Sequence, residues 1–294
     1  MGFSQKHPFL FGFFLIVMAV VLIMGAMAFF KLWLGDKTQS WGKTELGVVQ
    51  LDGMITESRP LVDWIQQLEN DDDVQGVVLR INSPGGLIAP AQEVHQAVKA
   101  LSNKKPVVAS VSTVAASGGY YVACAAEEII ANPGSMTGSI GVKAQVPNLQ
   151  ELMRKLGVEQ QTIVSGKMKD AGSPTRELTA KEKEYFQNMV DELSSQFIQV
   201  VAQSRDLDLQ QVRELADGRA FTGTQALDEG LVDQLGGMQD AVRSLRDKAQ
   251  VKGAVHLREG PQEEKGLLSW ILSAAGVQDL LQKGAGQGQG IFSY

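Results

Sequence analysis

The stretch Thr113-Val-Ala-Ala-Ser-Gly-Gly-Tyr-Tyr121 joins two apolar segments of the chain. It follows the apolar run 106–111, which predicts a buried strand, and leads into the small and apolar residues 120–126, which predict a buried helix. Ser117 is therefore expected at a strand-to-helix turn, where the next two glycines let the backbone turn sharply. The free N–H groups and partial positive charge of a helix N-terminus suit a serine nucleophile and its oxyanion. A helix-capping serine in a tight packing turn would look the same, so this stretch alone leaves both interpretations open.

Strands and helices alternate on both sides of this turn. Apolar runs predict strands at 47–51, 74–81, 127–131 and 160–165, and apolar residues at helical spacing predict helices at 60–68, 89–101, 148–156 and 237–250. A capping-box pattern at Thr179–Glu182 begins a long helix, whose apolar stripe is expected in the core. The alternation predicts an α/β domain of stacked units with mostly parallel strands over residues 45–250.

The N-terminal part of the chain has a different composition. After a short tail, residues 1–8, the stretch Phe9–Phe30 carries no charge over 22 positions. A helix of that length measures about 33 Å, which is enough to cross the apolar core of a bilayer. We predict a transmembrane anchor here, followed by a polar linker at 31–44. The alternative is a cleaved signal peptide, because Ala26-Met27-Ala28 resembles a cleavage site.

The C-terminal segment 251–294 is predicted to be a tail that contains an amphipathic helix. Apolar residues recur on one helical face over 266–282, and the following 284–290 is rich in glycine. The apolar face could pack on a neighbouring subunit or lie on a membrane surface.

Composition excludes several classes of function. The 294 residues carry 27 basic and 33 acidic side chains, a net charge of −6, which does not suggest a nucleic-acid partner. The single cysteine, Cys124, excludes an internal disulfide framework and is expected to serve packing. No HExxH or paired CxxC pattern occurs, so neither a metal site nor another cofactor is predicted.

A serine nucleophile needs a base close to its hydroxyl. His95 is the only histidine inside the core region, but it lies mid-helix without an obvious acidic partner. A lysine kept neutral by burial is the alternative, because desolvation lowers the pKa of a lysine. Lys169 follows the predicted strand 160–165, and Lys167 lies two residues before it. Spacing alone does not choose among these residues.

Five segments together resemble the signal peptide peptidase A family, peptidase family S49, in its short single-unit form. They occur in the family's order and lie within residues 45–250, and SohB-type peptidases are the nearest alternative. The segments are Ser83-Pro-Gly-Gly86, Ala116-Ser-Gly-Gly-Tyr-Tyr121, Thr137-Gly-Ser-Ile-Gly-Val142, Ser165-Gly-Lys-Met-Lys-Asp170 and Gly218-Arg-Ala-Phe-Thr-Gly223. The resemblance implies a ClpP/crotonase-like fold of stacked β-β-α units.

The resemblance also implies the roles of individual residues. Ser117 would be the nucleophile, and Lys169 the general base of a Ser-Lys dyad. Ser139 would orient Lys169, and the backbone N–H groups of Gly86 and Gly118 would form the oxyanion hole. No cofactor is implied. The charged Lys143 is less typical of the family and lies where it could affect the groove beside the site.

The activity implied is that of a membrane-anchored serine endopeptidase, which degrades remnant signal peptides and other extended apolar peptides. The family implies a single-pass protein of the bacterial cytoplasmic (inner) membrane, with its catalytic domain on the extracytoplasmic side. The positions of the flanking lysines lean weakly the other way, toward an N-terminus outside the cell, which would place the domain that follows the anchor on the cytoplasmic side. The family further implies a dome-like homo-oligomer, such as an octamer, in which neighbouring subunits can share a site. Two other classes stay open: a crotonase-like acyl-thioester enzyme and a non-catalytic membrane scaffold.

Overall fold

The computed structural model describes residues 44–261 and 292–293, together with isolated helical positions near the N-terminus at 9, 12, 16–19, 21–22 and 25–26. Residues 1–43 and 44–294 form separate units. Most of the predicted anchor Phe9–Phe30, the linker up to residue 43 and the amphipathic helix at 266–282 lie outside the described residues. Among the residues that are described, no helix is both long and apolar enough to span a bilayer.

A mostly parallel β-sheet forms the centre of the second unit, which confirms the predicted α/β class. The strands are β1 (Thr44–Asp52), β2 (Val74–Ser83), β3 (Val107–Ala116), β4 (Glu128–Ala131), β5 (Met136–Gly138), β7 (Ala220–Thr222), β8 (Gln234–Leu235) and β9 (Val255–Gly260). They run in the order β7-β5-β3-β2-β1-β9, and β4 and β8 continue the sheet from β3. All of the paired strands are parallel except β5 and β7. A separate pair joins β6 (Lys143–Ala144) to β10 (Phe292–Ser293).

Helices cover both faces of this sheet, which is why the central strands are nearly continuous apolar runs. The helices are α1 (Arg59–Asn70), α2 (Ile88–Ser102), α3 (Gly118–Ala123), α4 (Gln150–Lys155), α5 (Ala180–Arg205), α6 (Leu209–Leu215), α7 (Gly223–Asp228) and α8 (Met238–Lys248). On one face, α8 buries Ala241 and Leu245 against Val78 and Val108 of the sheet. The larger core, on the other face, includes residues of α1, α2, α3 and α5.

Helix α5 begins at the predicted capping box, in which Thr179 and Glu182 exchange side-chain and backbone hydrogen bonds. Its apolar stripe is buried only in part. Phe197 and Val201 are fully enclosed, and the ring of Phe197 meets that of Tyr121 edge to face at 5.2 Å. The earlier members of the stripe, Phe186, Met189, Val190 and Leu193, are only half-buried. The expectation of a core stripe is therefore right for the second half of α5 and wrong for the first.

Two segments differ in the structure from what the sequence predicts. The prediction of a strand at 160–165 is wrong, because the segment has no regular structure and Ile163 is 99% exposed. A β-propensity run forms a strand only where a neighbouring strand pairs with its backbone. Conversely, the predicted loop at 132–142 contains β5, because residues 136–138 pair with the end of β3.

The sheet also extends beyond the predicted end of the domain at residue 250. Strand β9 pairs in parallel with β1 from Thr44↔Val255 to Val49↔Gly260. The indole N–H of Trp64 on α1 donates a 3.0 Å hydrogen bond to the Val48 carbonyl, also on β1. Residues 255–260, assigned from sequence to the tail, are thus part of the central sheet.

Truncation of Phe197 tests the packing of α5. We expect Phe197→Ala to lower the free energy of unfolding by about 3–5 kcal/mol, because a fully buried aromatic side chain is removed and a cavity remains. Tyr185→Ala on the same helix removes a ring that is 45% exposed and should cost at most about 1 kcal/mol. Urea unfolding followed by circular dichroism measures both. Equal losses would contradict this account of the packing of α5.

Candidate active site

Ser117 lies where β3 ends and α3 begins, as predicted. Its backbone has φ 56° and ψ −121°, which is strained for a residue with a side chain. Two hydrogen bonds hold it there: its N–H donates to the Gly138 carbonyl at 2.8 Å, and its carbonyl accepts from the Tyr121 N–H at 2.9 Å. The side chain makes no capping hydrogen bond to α3. The capping interpretation therefore has no support, and the hydroxyl of this 6% exposed residue is available for chemistry.

The turn at Gly85–Gly86, just after β2, packs directly against the Ser117 turn. A methyl group placed on Gly85 would lie 2.7 Å from the Gly118 nitrogen and 2.9 Å from the Ser117 Cβ. One placed on Gly86 would lie 2.2 Å from the carbonyl oxygen of Ile55, whose backbone bridges to this turn. Only glycine fits at such separations, so the sequence brings two backbone segments together beside Ser117.

The amides of Gly86 and Gly118 belong to these two turns. A methyl group on Gly118 would lie 3.4 Å from the Gly86 nitrogen, so the two amide groups are neighbours. Neither N–H donates to a backbone acceptor within the described part of the chain, whereas Ile55 and Leu87 beside them are paired. Adjacent unpaired N–H groups next to a serine can stabilise an oxyanion.

Ser117 and Ser139 line one cavity of about 430 Å³. The remaining lining residues come from the β2 turn, the β5–β6 segment, α5 and the segment before β7; they are Pro84, Gly141, Val142, Lys143, Ser194, Ala216, Asp217 and Gly218. Ser139 also has a positive φ, 51°, and its N–H donates to the Arg219 carbonyl at 2.9 Å. Its hydroxyl donates to the Gly218 carbonyl at 3.1 Å. The structure therefore brings the predicted Ser117, Ser139, Gly86 and Gly118 to one place.

Asp217 is a residue of this cavity that the sequence did not single out. Its carboxylate receives hydrogen bonds from the Arg219 guanidinium, including Nε to Oδ2 at 2.7 Å, and from the Arg219 backbone N–H at 3.0 Å. These bonds lower the pKa of Asp217 to about 2, so the carboxylate remains ionised. The only signal in the sequence was its position just before the Gly218–Gly223 segment.

Lys169 lies apart from this cavity within one chain. It is exposed in a turn, where its N–H donates to the Gly166 carbonyl at 3.0 Å, and it does not line the cavity that holds Ser117. Lys167 is likewise exposed and absent from the lining. The lysine that does line the cavity is Lys143. A single chain thus brings together the nucleophile and amides of the predicted site, but not its predicted base.

His95 and Cys124 both have packing roles. The His95 ring lies 4.9 Å from that of Tyr121, and it does not line the Ser117 cavity. Burial, with a smaller contribution from the charge of Lys99, lowers the pKa of His95 to about 4. Cys124 is enclosed in the core, where burial raises the pKa of its thiol to about 11. A Ser-His triad is therefore not supported.

Comparisons with known proteins agree with the motifs. The model of peptidase family S49 matches residues 99–252. A candidate protease of Methanocaldococcus jannaschii is 38% identical over 238 residues, 81% of this chain and 74% of that protein. A candidate signal peptide peptidase SppA of Enterococcus faecium is 37% identical over 191 residues, 65% of this chain and 56% of that protein. Among solved structures, a ClpP1 mutant of Listeria monocytogenes is 16% identical with a TM-score of 0.47, covering 66% of this chain and 94% of its own.

Replacement of His95 tests its role through pH. The folded-state pKa of about 4 lies below the unfolded value of about 6.5, so the unfolded chain binds the proton first as pH falls. Stability due to neutral His95 is present above pH 6.5 and is lost between pH 6.5 and 4, a loss of about 3 kcal/mol. His95→Gln should flatten that part of the stability curve, measured by urea unfolding at each pH, and should keep peptidase activity. His256→Gln, at an exposed site, is the control. Loss of peptidase activity in His95→Gln but not in His256→Gln would support the Ser-His triad instead.

Proposed function

The chain belongs to peptidase family S49, and on that premise we propose that it is a membrane-anchored serine endopeptidase with a Ser-Lys dyad. Family membership by itself supports a peptidase. The serine mechanism is supported above all by one observation: Ser117 is buried and strained, its hydroxyl caps no helix, and two unpaired backbone amides adjoin it. A merely structural serine would not need this combination of features.

The reaction begins with proton transfer. The neutral amine of Lys169 takes the proton from the Ser117 hydroxyl, and the oxygen attacks the carbonyl carbon of the peptide bond. The carbonyl oxygen becomes an oxyanion, which receives hydrogen bonds from the N–H groups of Gly86 and Gly118. Ser139 holds the amine of Lys169 in the orientation that the transfer requires.

The tetrahedral intermediate then collapses. Its carbon–nitrogen bond breaks, and Lys169 returns the proton to the departing amine, which leaves an acyl ester on Ser117. Lys169 next takes a proton from water, and the resulting hydroxide attacks the ester through the same oxyanion hole. Collapse breaks the ester bond to the Ser117 oxygen, Lys169 returns its proton to that oxygen, and the released carboxylic acid loses its own proton to water. No metal or other cofactor enters this cycle.

We further propose that Lys169 reaches Ser117 from a second copy of the chain in a homo-oligomer. Within one chain Lys169 is exposed and lies outside the Ser117 cavity. The region before it, from the start of α4, carries an exposed apolar surface, which an isolated chain would leave in water. That surface consists of Leu149, Leu152, Leu156, Val158, Ile163 and Val164. A second copy that covered it could also receive Lys169.

The proposed substrates are extended apolar peptides, chiefly remnant signal peptides in or at the membrane. A second cavity of about 710 Å³ shares Val142 and Lys143 with the Ser117 cavity. Its other lining residues are mainly apolar and include Ala144, Val146, Leu178, Phe186 and Val190. An uncharged Phe9–Phe30 segment supports an anchor in the bacterial cytoplasmic membrane. The proposed position of the catalytic unit, on the extracytoplasmic side, comes from the family resemblance alone, and the weak charge bias of the flanking lysines points the other way.

Mixing two inactive variants tests the dyad and its origin together. Ser117→Ala and Lys169→Ala, each made in the full chain in detergent, should lose activity on a fluorogenic apolar peptide by about 10⁴-fold or more. If Lys169 acts in a neighbouring copy, co-assembly of the two variants should regain part of the activity, because some sites then combine an intact Ser117 with an intact Lys169. Lys167→Ala is the matched control and should stay active.

Each result bears on a different part of the proposal. Loss in both single variants without recovery would keep the dyad but place it within one chain. Full activity in Ser117→Ala would reject the serine mechanism, and full activity in Lys169→Ala would reject Lys169 as the base. If Lys169→Ala stays active and Lys143→Ala loses activity, the base is Lys143, the lysine that lines the cavity.

A methyl group between the two amides tests the oxyanion hole. In Gly118→Ala the new methyl would lie 3.4 Å from the Gly86 nitrogen, in ordinary contact with its neighbours. We expect unfolding to be little changed and kcat to fall, because the methyl group would crowd the Gly86 N–H; the upper bound is the loss of about 10²–10³ that follows when one oxyanion donor is lost completely. Gly134→Ala, at a loop position with open space, is the control. Unchanged kcat would contradict the assignment of these amides.

A further inference from the structure

Arg176 ties the turn that carries Lys169 to the start of helix α5. Its Nε donates to Asp170 Oδ2 at 2.9 Å, and its Nη2 donates to the Asp170 backbone carbonyl at 2.8 Å. On its other side, Nη1 and Nη2 donate to the two carboxylate oxygens of Glu182 at 2.9 and 2.6 Å. One guanidinium group thus holds both the residue next to Lys169 and the first turn of α5.

Glu182 is a fixed anchor point for this contact. It is the third residue of α5 and a member of its capping box, accepting from the Thr179 N–H at 2.8 Å. Its side chain is only 4% exposed. Its bonds to Arg176 and Thr179 lower the pKa of Glu182 to about 2, so the carboxylate is ionised near neutral pH. The contact therefore does not switch off near neutral pH.

The Lys169 turn has few other restraints. Between the end of α4 and the start of α5, residues 156–179, no helix or strand forms. The turn itself is closed by single backbone hydrogen bonds, such as Lys169 N–H to Gly166 and Ser173 N–H to Asp170. Isolated bonds of this kind in exposed segments open readily. Because a bidentate guanidinium–carboxylate pair fixes direction as well as distance, Arg176 supplies the orientation that the turn lacks.

We propose that Arg176 is a positioning residue, which holds the Lys169 turn on the N-terminus of α5 so that Lys169 is presented outward in one orientation. This inference rests on the proposed function, in which Lys169 is the base. It assigns Arg176, Asp170 and Glu182 to the reaction although none of them contacts substrate. A purely structural role would instead confine the effect of Arg176 to the stability of α5.

The test is Arg176→Ala in the full chain, with Arg243→Ala as the matched control. Arg243 pairs at 3.2 Å with Asp240, which is also the third residue of its helix and accepts a hydrogen bond from the N–H of the residue before that helix, Gly237, at 2.9 Å. We expect Arg176→Ala to lower kcat by about 10- to 100-fold with little change in KM, because misplacing a catalytic group by about 1 Å has an effect of that size. Arg176→Lys should be intermediate, because an ammonium cannot hold both carboxylates in the same geometry.

Hydrogen exchange separates the two roles without relying on activity. In Arg176→Ala, amides in 166–173 should exchange faster, while those in the middle of α5 stay protected. Equal loosening of α5, or unchanged exchange in 166–173, would overturn the proposal, as would a kcat equal to that of Arg243→Ala. If Ser117→Ala and Lys169→Ala restore activity when they are mixed, Arg176→Ala can be mixed with each of them. Activity of Arg176→Ala should recover with Ser117→Ala, which supplies an intact Lys169 turn, but not with Lys169→Ala, which does not. Recovery in both mixtures would overturn the proposal.

The result would differ if the proposed function itself, with Lys169 as the base, were wrong. Full activity in Lys169→Ala would reject Lys169 as the base whatever Arg176→Ala does. Loss of activity in Lys169→Ala together with wild-type kinetics in Arg176→Ala would reject only the positioning role.

Discussion

The close contact between two glycine turns is the constraint on which the rest of the site depends. Parallel pairing of β2 with β3 brings the ends of both strands to one edge of the sheet, and the absence of side chains lets the backbones touch. A methyl group on Gly119 would lie only 2.6 Å from the Ser83 carbonyl, a separation that no larger residue could tolerate. Strand register, the strained Ser117 and the two unpaired amides are parts of one arrangement.

The sequence was informative wherever the cause of a structure was local. The turn at Ser117 was predicted because a strand, a serine and two glycines follow one another directly. The start of α5 was predicted from its capping box. It was less informative where the cause lies far away in the chain. The run 160–165 has strand propensity but finds no partner strand, and β9 joins the sheet only because β1, some 200 residues earlier, offers an edge. Asp217 became recognisable only when folding placed it beside Ser139.

The role of Lys169 also could not be predicted from local sequence alone. Motif resemblance pointed to this lysine, and Arg176 ties its turn to α5, yet in the proposed mechanism its distance from the nucleophile depends on how folded chains meet. The half-buried stripe on the first part of α5 and the exposed apolar residues of 149–164 belong to the same question, because burial of such surface is the main driving force for association. A sequence pattern records that a surface is apolar but does not record what covers it.

The pairing of β10 with β6 has a practical consequence for work with this protein. Ser293 lies opposite Lys143, and Lys143 also lines the cavity that contains Ser117. Residues 292–293 therefore lie beside the rim of that cavity. A purification handle or fluorescent protein placed next to residues 292–293 would lie beside this cavity, so the choice of tag position becomes a variable in every rate that is measured.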